Sequence, residues 1–97
     1  MATYIVMLRF TEQGIKTVTE GPIRVEAAKQ LCRSQGAEVK SYYLVMGQYD
    51  AVVILEAPDD QTVAEIGLAL GVLGNVRTET LRAFTEDEYR KIIAKLP

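Results

Sequence analysis

Four consecutive residues, Gly47-Gln48-Tyr49-Asp50, set a glycine, a phenol and a carboxylate between two apolar segments. A carboxylate so close to Val52, Val53 and Ile54 needs a hydrogen-bond partner, a proton or water, because an unpaired buried charge is costly. In a site, Asp50 would act as a general base or orient a ligand's hydroxyl or amine. Arg9 and Arg77 add guanidinium groups, which hold planar carboxylates and phosphates through paired hydrogen bonds. Tyr49 and Asn75 contribute a phenol and an amide. Arg9, Tyr49, Asp50, Asn75 and Arg77 therefore form a candidate site for an anionic or aromatic small molecule. Each also has a plain structural role. Asp50 can pair with an arginine or with backbone amides to hold a hairpin, and structural pairs of that kind are the default. Tyr49 serves as an amphipathic packing residue, and Gly47 as a turn residue.

Missing residue types narrow the chemistry further. The chain has no histidine and no tryptophan. Histidine-ligated haem, histidine zinc sites and Ser-His or Cys-His nucleophile pairs are thus excluded within it. Cys32 is the sole cysteine, so no intrachain disulfide or cysteine metal cluster forms. Catalysis would fall to Asp, Glu, Tyr, Arg, Lys or Cys, or to a cofactor that the sequence does not identify. No metal site is expected. Asp59-Asp60 reads as a helix cap, and the acids Glu86-Asp87-Glu88 suit a helix start. Gly67, Gly71 and Gly74 lack the order of a phosphate loop. Cys32, at helical spacing from Ala28, reads as core.

The 97 residues suit one domain, residues 1–97. About half are apolar and a quarter charged, with a net charge of −2 and a pI near 5.1. No basic run is present, which disfavours nucleic acid as a partner, since phosphate neutralisation needs clustered Lys and Arg. No apolar stretch approaches the ~20 residues of a membrane span. Met1-Ala2-Thr3 leads directly into a strand-like run without signal-peptide character, so the cytoplasm is the expected location.

Hydrophobic patterning predicts the elements that position these residues. Residues 3–10 form a strand and residues 11–14 a loop. Pro22 opens a helix that ends before Gly36, with Ala27, Ala28, Leu31 and Cys32 on its inner side. Residues 39–46 and 49–56 form two further strands, joined by Gly47-Gln48 if these make a two-residue turn with glycine first. Ala57-Pro58-Asp59-Asp60 then breaks the chain and caps a second helix to about Val72, where Gly67 and Gly71 would permit close packing on the sheet. Gly74-Asn75 ends that helix, and residues 76–84 are the fourth strand. Thr85 with Glu88 gives a capping box for a last helix, whose stripe is Tyr89, Ile92, Ile93 and Leu96.

The order βαββαβ plus a terminal helix is the ferredoxin-like α+β plan, an antiparallel four-stranded sheet with strands one and three central. Those central strands are apolar on both faces. Two helices cover one face; a monomer could cover the other with its last helix, but a second copy of the sheet is the expected cover. Leaving such side chains wet would forgo roughly 1.5–3 kcal/mol each. A homodimer, or a higher homo-oligomer, follows.

Phe10-Thr11-Glu12-Gln13-Gly14, Gly47-Gln48-Tyr49-Asp50, Glu56-Ala57-Pro58-Asp59, Gly74-Asn75-Val76-Arg77-Thr78 and Leu81-Arg82-Ala83-Phe84-Thr85 resemble segments of the GYD domain family, in order across nearly the whole chain. The resemblance implies the dimeric α/β-barrel arrangement and brings no established activity.

Strand one runs antiparallel to strands three and four, so its end meets their beginnings. Arg9, Phe10 and the following loop should gather there with Tyr49, Asp50, Asn75 and Arg77, and Arg24 follows from the same end. Three function classes stay open: a small-molecule binding or sensing module at Asp50, a cofactor-light isomerase or monooxygenase, and a structural assembly protein.

Overall fold

The computed structural model describes residues 1–97. Strand β1 (Ala2–Phe10) is followed by a short helix α1 (Glu12–Lys16), a 3-10 turn (Val18–Glu20) and helix α2 (Gly21–Ser34). Strands β2 (Glu38–Leu44) and β3 (Ala51–Ala57), helix α3 (Asp60–Val72), strand β4 (Val76–Ala83) and helix α4 (Glu86–Ala94) complete the chain. The four antiparallel strands lie in the order β2-β3-β1-β4, the arrangement expected from the apolar runs of β1 and β3. No helix is long and apolar enough to cross a membrane.

Side chains alternate across a sheet, and the register sorts them. Tyr4, Val6 and Leu8 pair with Leu55, Val53 and Ala51, and this face lies under α2 and α3. Buried Cys32, Val63 and Ile66 close over it from the helices. The opposite face carries Ile5, Met7 and Arg9 on β1, paired with Ile54 and Val52 on β3 and with Leu81, Glu79 and Arg77 on β4. Nothing in the chain covers its edges, where Leu81 and Tyr43 are exposed.

Helix starts follow local chemistry. Asp59 accepts from the Thr62 amide at 2.8 Å and its hydroxyl at 2.7 Å, capping α3. Thr85 and Glu88 make the full capping box of α4. The apolar stripe of α4, by contrast, is left open, with each of Tyr89, Ile92, Ile93 and Leu96 at least 44% exposed.

Three local expectations need correction. Residues 11–14 are not all loop, because Thr11 caps α1 by accepting from the Gly14 amide at 3.0 Å. The β2–β3 connection is the six residues Val45 to Asp50, closed by the Val45 amide on the Asp50 carbonyl at 2.9 Å. Gly47, at φ +124°, allows that loop to turn. The loop shortens both strands relative to expectation because Tyr49 turns away from Met46 toward β1 and β4. Finally, Gly67 and Gly71 do not mediate close packing. A methyl group at Gly67 would touch only Thr78 Oγ1 at 3.5 Å, and one at Gly71 would meet nothing. The close approach lies at Gly14, where a Cβ would sit 2.0 Å from the Asn75 carbonyl oxygen.

Candidate functional site

Ladder pairing brings the end of β1 beside the starts of β3 and β4. The Asp50 amide donates to the Leu8 carbonyl at 2.8 Å, and its carboxylate Oδ2 accepts from the Phe10 amide at 2.8 Å. A side chain thus makes the last rung of the β1–β3 ladder. Arg9 turns to the loop: its Nε donates to the Gln48 carbonyl at 2.8 Å, and its guanidinium stacks 4.7 Å from the centre of the Tyr49 ring. The Tyr49 hydroxyl donates to Glu79 Oε2 at 3.0 Å. That bond holds the phenol's pKa above its usual value, since losing the proton would leave two anions in contact. Arg77 is the register partner of Arg9 in the β1–β4 pairing, which puts two cationic residues side by side on one face of the sheet, an unfavourable pair on its own.

Asn75 belongs to a neighbouring clasp. Its carbonyl accepts from the Thr11 amide at 3.1 Å, and its side-chain oxygen accepts from Gln13 Nε2 at 3.0 Å. Gln13 also donates to the Leu73 carbonyl at 3.2 Å, and Thr11 Oγ1 donates to the Gly74 carbonyl at 2.5 Å. The clasp seats α1 against the α3–β4 turn, and Gly74 at φ +86° lets that turn reverse. Arg24 does not join the open-face corner. It donates to the Gly14 carbonyl at 3.3 Å and to Thr17 Oγ1 instead. So Arg9, Tyr49, Asp50 and Arg77 meet at one end of the sheet, and Asn75 is held beside them by α1.

Chemically, this corner offers a stacked guanidinium, a second arginine on the neighbouring strand and a phenol already donating to a carboxylate. No group of three or more carboxylates or thiols gathers that could hold a metal ion. Cys32 is buried and its thiol is pushed up by that burial, as for a packing cysteine.

Two participants are not legible in the sequence. Glu79 gives no local signal, because its partner lies 30 residues away, whereas Gln13 lies in the segment expected to gather with Asn75 and donates to it across 62 residues. Asp60 reads from sequence as part of a cap, yet its Oδ1 accepts from the hydroxyl of buried Tyr4 at 2.5 Å. That bond raises the Tyr4 pKa. For α1 a signal does exist, namely a threonine cap followed by an acid in the first turn.

The GYD domain matches residues 4–93. The chain belongs to the GYD domain family. A Thermus thermophilus protein described as a glutamine synthetase and cystathionine beta-lyase binding protein is 40% identical over 84 residues, which is 86% of this chain and 88% of the relative. Among solved structures, TTHA0845 from Thermus thermophilus aligns with a TM-score of 0.53 at 28% identity, over 88% of this chain and 95% of that one. FFRP-DM1 aligns with a TM-score of 0.58 at 20% identity, over 87% and 100%, a likeness of fold alone. Within the GYD domain, the segments Phe10–Gly14 and Gly74–Thr78, distant in sequence, are the two sides of one clasp.

Proposed function

We propose that the chain is a homodimeric protein-binding module that docks on metabolic enzymes of the kind named for its Thermus relative, glutamine synthetase and cystathionine beta-lyase. The observation that carries this reading is the distribution of apolar residues. Sixteen large hydrophobic residues are exposed, against ten hydrophobic residues buried in the core. Scattered exposed apolar residues are normal, but contiguous ones mark interaction surfaces.

Eight of the sixteen gather in three places. The open face of the sheet is covered by the same face of a second copy, giving the dimeric α/β-barrel arrangement. The stripe on α4 packs across onto that copy. The third is the outer side of α3, where Leu68 and Val72 are 73% and 86% exposed. No charged residue occurs between Glu65 and Arg77, although a helix apolar all round is normally enclosed. This side of α3 is the enzyme-docking surface.

A second reading keeps the corner at Arg9 and Arg77 as a small-molecule site. The pairing of two arginines across neighbouring strands supports it, because a carboxylate or phosphate bound by both would relieve their repulsion. Asp50 and Tyr49 then shape the corner through the Phe10 and Glu79 bonds, with Asn75 fixing its α1 side.

Sedimentation velocity with glutamine synthetase and cystathionine beta-lyase purified from the same organism tests the enzyme-docking reading. The wild-type chain should co-sediment with at least one of them at about 10 μM, within the range of transient interfaces. Leu68→Lys should lose that complex and keep the dimer mass. Failure to bind either enzyme, or unchanged binding by Leu68→Lys, would overturn it.

A further inference from the structure

The layer between the helices and the sheet is hollow. Val53 lies on a central strand, on the face that the helices cover, yet it is only half-buried, and so are Val25, Leu31 and Leu70 above it. No large side chain is completely buried. The hollow, which is partly open to solvent, measures about 480 Å³, within the roughly 300–1,000 Å³ typical of small-molecule sites. Nineteen of the 26 residues lining it are hydrophobic. Only two lining residues are charged, Arg24 and Lys29, and both are cations, although the chain has 13 acids and 11 bases.

Arg24 is held in place from outside the cavity. Its Nη1 donates to the Gly14 carbonyl, and its Nη2 donates to Thr17 Oγ1 and lies 3.5 Å from Glu20 Oε2. The Nε proton takes part in none of these bonds. A guanidinium fixed on one side with a free N–H is ready to receive an anion. The apolar walls below would gain by taking an apolar body out of water.

We propose that this hollow binds an amphiphilic carboxylate, with its apolar part among Val25, Leu31, Val53 and Leu70 and its carboxylate at Arg24. Lys29 is paired with Glu26 at 3.7 Å, which leaves the anchoring to Arg24. The site lies on the opposite side of the sheet from the dimer face and does not depend on enzyme docking.

Titration of the isotope-labelled full-length chain with sodium decanoate, followed through its Ile, Leu and Val methyl resonances, tests the proposal. Saturable shifts are expected at Val25, Leu31, Val53 and Leu70, complete by about 1 mM. Decyltrimethylammonium has the same tail and the opposite charge, and should bind about tenfold more weakly, as for the loss of one charge-assisted contact. Arg24→Gln should weaken decanoate by a similar factor. Val53→Phe should fill the hollow and remove binding. Ala28→Phe, which fills the same space from α2, provides that test if Val53→Phe fails to fold. Shifts confined to the open face at Ile5, Val52 and Ile54, equal affinity for the two amphiphiles, or no saturable change would each overturn the proposal.

Discussion

The Asp50 carboxylate stands where a backbone carbonyl would end the ladder, accepting the Phe10 amide, and a side-chain amide oxygen can do the same. Asp50→Asn is therefore expected to unfold in urea close to the wild-type midpoint. Asp50→Ala leaves the Phe10 amide without a partner and should lose about 1–3 kcal/mol. If both variants lost the same stability, the negative charge rather than the acceptor would be what matters. The sequence marks Asp50 as a residue that must be paired, and offers a backbone amide as one partner. It cannot show which amide, because Phe10 is 40 residues away and reaches Asp50 only through strand pairing. Arg9 is likewise legible as a cation at the end of β1. Its stacking on Tyr49 depends on a loop conformation that the turn chemistry of Gly47-Gln48 leaves open.

Among the elements, α1 shows where local patterning falls short. A five-residue helix is too short for a hydrophobic period, and its stability comes from the clasp with Leu73, Gly74 and Asn75. Gly14→Ala should push a methyl group against the Asn75 carbonyl, costing about 1–3 kcal/mol as overpacking against a fixed backbone does. Gly71→Ala, with open space at its Cβ, should instead raise the urea midpoint slightly, as removal of helical glycine does. If the two variants shifted in the same direction, the clasp would not be the reason for Gly14. The caps are readable outright, since Asp59 and Thr85 carry strong local signals. The Thr62 amide and hydroxyl hold the Asp59 carboxyl below its ordinary 3.8. Its contribution is present above that value and is lost as pH falls through the lower, folded-state pKa. Asp59→Asn keeps a capping oxygen but cannot titrate. Its stability at pH 7 should match the wild type, and its loss between about pH 4 and pH 2 should be smaller. Parallel urea midpoints across that range would contradict this.

At the scale of the whole molecule, the strand order is legible because β1 and β3 are apolar on both faces, which only central strands sustain. The hollow under α2 and α3 is not, since half-filled and filled interiors share the same apolar pattern. Neither is the reach of α4. Its stripe is plain in the sequence, but no local feature says whether it folds back. The chain extends 52 Å along its longest axis, with a radius of gyration of 14.6 Å, against about 13 Å for a compact 100-residue domain. A chain of this shape, with more large apolar residues outside than in its core, is a subunit in search of partners. In the proposed dimer the open sheet face is covered by a second copy, and Met7 lies on that face across from Glu79. Met7→Lys should be tolerated within one subunit, where the new ammonium faces a carboxylate, while two such charges would oppose pairing of the sheets. The decisive measurement is the molar mass of the wild type and of Met7→Lys by light scattering after gel filtration. The account predicts a wild-type mass twice that of the 10.8 kDa chain and a folded Met7→Lys monomer. A monomeric wild type, or an undiminished dimer in Met7→Lys, would contradict it.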